Sequence, residues 1–149
     1  MKFDKMGYTK KILAFGVATC GLVALLSTNP PHKKLFDGEV NGRRAVLYSS
    51  DWNSPSMLEV YSSGKPNATL DSVYEDWDGN GIIGNNSKDK VTLYLPEGKV
   101  TITKKNVTDY NGSISPTDEG FTEDLNIASM VYKTYLSKIW YKRHGQINA

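Results

Sequence analysis

Two runs, Val91-Thr92-Leu93-Tyr94-Leu95 and Lys99-Val100-Thr101-Ile102-Thr103, alternate apolar with polar side chains across a Pro96-Glu97-Gly98 reversal. Period two places positions 91, 93 and 95 on one face of a strand, and 100 and 102 on the matching face of its partner. Proline fixes φ at such a reversal, and glycine is free to take φ > 0. The pattern recurs upstream. Arg43–Tyr48 is a strand candidate entered through Asn41-Gly42, a dipeptide that supplies the two positive φ angles of a type I′ hairpin turn. Met57–Tyr61 alternates as well, and Ser62–Asn67 is a loop by composition. Strand signals with no helical crossover between them point to an antiparallel meander, here over about residues 38–105.

Residues 69–77 fit two periods. Leu70, Val73, Tyr74 and Trp77 lie on a helical stripe, yet the stretch is short and its neighbours are strands, so strand is the expected state. Helix is expected at the C-terminus. Asp124–Arg143 contains no glycine or proline, and Leu125, Ala128, Tyr132, Tyr135 and Ile139 form one stripe, widened by Val131, Leu136 and Trp140. Thr122 is the expected N-cap, and Gly145 the expected left-handed C′ residue. The aromatic stripe is read as the face that packs on the sheet, with a ligand-binding face as the alternative.

Charge divides unevenly along the chain. Residues 1–34 carry six basic side chains and one acidic, whereas residues 35–149 carry 12 basic and 15 acidic. Phosphate neutralisation needs clustered Lys and Arg on the folded part, so nucleic acid is excluded as a partner. The basic segment leads into an uncharged run, Ile12–Ser27, about 24 Å long as a helix at roughly 1.5 Å per residue. Lysines ahead of the run favour a cytoplasmic N-terminus. Residues 1–28 therefore read as a signal-anchor or transmembrane helix, with the lipid bilayer as partner through residues 12–27. A cleaved signal peptide and lipidation at Cys20 are the alternatives. Residues 29–37 then form a tether. The expected fold class is α+β: an N-terminal membrane helix, then an antiparallel β-meander of five to six strands packed by one C-terminal helix, the domain covering 38–145. That domain lacks cysteine, so no internal disulfide supports it.

One constellation carries chemistry. Asp76-Trp77-Asp78-Gly79-Asn80-Gly81-Ile82-Ile83 fits D-x-[DN]-x-[DN]-G followed by an aliphatic, and resembles the first eight positions of an EF-hand or dockerin-type calcium loop. The resemblance implies oxygens from Asp76, Asp78 and Asn80 around a hard cation, the carbonyl of Ile82 as a further ligand, and Ile83 as an anchor. The twelfth position departs from the pattern: it is Ser87, and the nearest acid beyond it is Asp89. Asp, Asn and Gly equally suit a tight turn without metal, and the sequence favours that simpler reading. No cofactor other than calcium is suggested.

Asn67, Asn85, Asn106 and Asn111 head N-glycosylation sequons, relevant where the domain is exported. His32 and His144 are remote from any nucleophile in sequence, so triads and histidine-based zinc sites lack parts. The expected function is a non-catalytic extracytoplasmic binding or envelope-associated module for an unknown protein or surface ligand, membrane-anchored or secreted. A calcium-stabilised surface domain and a carboxylate-dependent hydrolase are the alternatives.

Overall fold

A computed structural model describes residues 33–49 and 55–145. Eight strands follow one another: β1 (Lys34–Val40), β2 (Arg43–Tyr48), β3 (Ser56–Tyr61), β4 (Leu70–Asp76), β5 (Lys90–Leu95), β6 (Gly98–Thr103), β7 (Asn106–Thr108) and β8 (Ile114–Pro116). They pair in sequence order, every pair antiparallel, as one sheet. Helix α1 (Glu119–His144) closes the chain.

The turns follow from their residues. Asn41 (φ 55°) and Gly42 (φ 75°) make the β1–β2 reversal expected of Asn-Gly. Residues 70–76 are a strand; Tyr74 faces the core, and its ring stacks on Tyr132 of α1 at 5.9 Å between centroids. Alternate side chains of the sheet, among them Val40, Ala45, Leu58, Val91, Val100 and Ile102, meet the stripe Leu125, Ala128, Tyr132, Tyr135 and Ile139 in one core. That stripe is packing surface rather than a ligand face. Trp140 does not widen it and stays 56% exposed.

Several expectations are corrected. The sheet has eight strands instead of five to six and runs from Lys34 to Pro116, beyond 38–105 at both ends. Residues 34–37 of the expected tether belong to β1, paired to β2 despite Gly38, because the Asn-Gly turn imposes the register. The helix begins at Glu119 with Asp118 as N-cap, its side chain accepting from Phe121 N, so Thr122 lies inside the first turn. Gly145 is right-handed (φ −68°) and donates to Tyr141 O, continuing the helical ladder. The expected N-terminal membrane helix is not among the described residues. No helix of the described residues is long and apolar enough to cross a membrane, and the run 12–27 lies outside them.

Candidate functional site

The loop between β4 and β5, residues 77–89, gathers the acids that the sequence singled out and adds one more. Asp76 closes β4 on the core side and retains 1% of its surface; Asp89, just ahead of β5, retains none, and Asp78 is exposed. One carboxylate oxygen from each lies within 4.8 Å of the others.

Backbone amides build the loop around these side chains. Asp76 Oδ2 accepts from Gly81 N at 2.7 Å. Asp89 Oδ1 accepts from Trp77 N at 2.9 Å, and its Oδ2 from Gly84 N at 3.2 Å and Asn86 N at 2.9 Å. Asp78 Oδ1 and Asn80 Oδ1 form successive Asx turns onto Asn80 N (3.3 Å) and Ile82 N (2.7 Å). Gly79, Gly81 and Gly84 all take φ > 0, which lets the chain coil tightly enough to aim these amides inward.

The loop is seated on α1. Ile83 is buried in the core, its N–H donates to Ser129 Oγ at 3.1 Å, and Gly84 lies against Leu125. Beside Asp76, the buried hydroxyl of Tyr132 donates to Ser56 Oγ at 3.4 Å, and burial pushes that phenol up to about 12.

Burial also raises the Asp76 carboxyl above its ordinary range; the Gly81 amide opposes this, while Asp78 and Asp89 reinforce it. Asp76 Oδ1 is buried without a hydrogen-bond partner among the described residues. None of the three carboxylates is ion-paired there either.

Of the sequence-predicted residues, Asp76 and Asp78 come together. Asn80 turns its side-chain oxygen onto the loop's own backbone, and Ile82 contributes an N–H to that turn. Asp89, the acid beyond the motif's twelfth position, completes the cluster. It occupies the fourteenth position from Asp76 instead of the twelfth, and the loop's two additional residues fold it back to the cluster. Its signal in the sequence was a lone acid immediately before a strand.

The sequon residues Asn67, Asn85 and Asn111 are exposed, whereas Asn106 is half-buried with its Oδ1 accepting from Thr103 Oγ1 at 2.9 Å.

No known family model, curated protein or solved structure matches the chain. Chemically the site is an array of hard oxygen acceptors.

Proposed function

We propose that this chain is a non-catalytic module that acts outside the cytoplasm by binding, with the 76–89 loop as its binding element. The observation that carries this reading is the acceptor array itself: three carboxylates converge within 4.8 Å, oriented by five backbone amides and seated on α1. A group fixed in this way is suited to hold something. The extracytoplasmic address is supported by the lysines and the apolar run of the first 28 residues, and the envelope or a surface protein is the partner class this implies.

The test combines location with retention. A tag at the C-terminus of the full-length protein should be cleaved by protease added to intact producing cells. Purified protein should co-sediment with the envelope fraction of those cells, and Asp78→Ala, at an exposed position, should weaken that retention. Recovery of the full-length protein in the soluble cytosol would overturn the reading, as would undiminished retention of the variant.

A further inference from the structure

Clustered carboxylates at a turn are ordinary, and hydrogen bonds within such a turn say nothing about a ligand. Asp76 Oδ1 is different. It belongs to a side chain with 1% of its surface exposed, it accepts no hydrogen bond among the described residues, and the carboxylate that carries it clusters with those of Asp78 and Asp89. Leaving a buried acceptor of this kind unsatisfied is costly, and more so for a charged group. Three clustered carboxylates with no lysine or arginine ion-paired to them among the described residues leave a local excess of negative charge.

We propose that Asp76 Oδ1, Asp78 and Asp89 ligate a calcium ion that completes the 76–89 loop. The ion satisfies the orphaned oxygen and offsets the mutual repulsion of the three carboxylates. All donors are oxygens, which selects a hard cation; the described residues offer no cysteine, and their one imidazole, His144, closes α1. Calcium accepts an irregular oxygen shell completed by water, whereas magnesium demands near-ideal octahedral geometry and gives up water reluctantly. Asp78 supplies the exposed side of the site, through which the ion exchanges with solvent. With Asp89 already receiving three amide hydrogens, the affinity belongs to the weak range of extracellular modules, a dissociation constant of about 0.1–1 mM. The inference rests on the loop being the binding element and names what it binds first.

The test is a calcium titration of the full chain from chelator-treated protein, read by melting temperature and by Trp77-sensitised terbium emission displaced by calcium. At 10 mM calcium the melting temperature should rise by about 6–10 °C, and magnesium at the same concentration should leave it unchanged. Asp78→Ala should keep its calcium-free melting temperature and lose both the calcium shift and the terbium signal. An unmoved wild-type melting temperature, an equal shift with magnesium, or a calcium shift that survives Asp78→Ala would each overturn the proposal. Envelope retention separates this failure from failure of the broader reading. If retention is lost in Asp78→Ala but unaffected by chelator, the loop binds its partner without calcium and only the present inference falls.

Discussion

Arg43 of β2 and Asp71 of β4 meet at 2.8 Å with 17% and 9% of their side-chain surface exposed. Asp71 reaches Arg43 because it is the additional residue of a bulge in β4, where Val60 faces Ser72 and Tyr61 faces Leu70. Burial raises the Asp71 carboxyl, and Arg43 opposes the shift. Removing the cation leaves a buried charge uncompensated, so Arg43→Ala should cost about 3 kcal/mol at neutral pH by urea unfolding. Adding Asp71→Asn should recover a large part of that loss. A double variant as unstable as the single one would assign the loss to Arg43's own packing.

Asp37 shows the opposite sign. A bidentate hydrogen bond from Arg44 holds its carboxyl near 2 against an ordinary 3.8, with burial opposing and Lys34 assisting. A depressed acid stabilises the fold above its unfolded value, and that contribution disappears as pH falls through the folded one, here from about 4 down to about 2. In Arg44→Ala the Asp37 carboxyl should titrate closer to 3.8 by NMR; a midpoint still near 2 would assign the depression to Lys34. None of this was legible beforehand, because a bulge and a cross-strand fork are set by pairing partners that the sequence does not name.

The elements themselves were legible wherever one local rule acted alone. Asn41-Gly42 sets its hairpin by φ preference, so the cost of losing it is predictable without reference to neighbours. A Cβ at Gly42 would meet nothing within 4 Å, yet φ is 75°. Gly42→Ala should therefore cost about 1 kcal/mol through backbone strain alone, measured by thermal melting. A neutral outcome would mean that the turn relaxes to another type.

Where two rules competed, the reading shifted. Gly120 weakens the first turn of α1 by propensity, yet the carboxylate of Asp118 receives Phe121 N at 3.2 Å and starts the helix ahead of the expected cap at Thr122. Removing that cap with Asp118→Ala should cost about 1 kcal/mol, with amide exchange fastest over residues 119–122. The candidate site was legible in the same partial way. Asp76, Asp78 and the anchoring role of Ile83 follow from the motif. Asp89 required knowing how many residues the loop spends before β5, and that count is fixed by where Gly84 and Ile83 rest on α1.

At the scale of the whole molecule, the meander makes the sheet almost entirely a product of neighbours in sequence, and the helix supplies the long-range closure. The strands undercounted from the sequence are those that lean on this assembly. β7 and β8 have three residues each, too few for a period to register, and β1 carries Asp37 and Gly38 in mid-strand. They are strands because a sheet edge is already there to pair with. The helix differs, since it buries the apolar face of all the central strands and returns to the beginning of the sheet. Lys138 donates to Asn41 Oδ1 and Lys142 to the carbonyl of Glu39, about a hundred residues earlier. Without α1 the faces of Leu58, Val91, Val100 and Ile102 would meet water, and no second layer among the described residues replaces it. A chain ended at Thr117 should therefore lose cooperative melting, bind a hydrophobic dye and associate, even though every strand-to-strand register remains encoded. A monomeric product that melts cooperatively would instead show that the sheet carries its own core, and that α1 is an attachment to a fold complete before it.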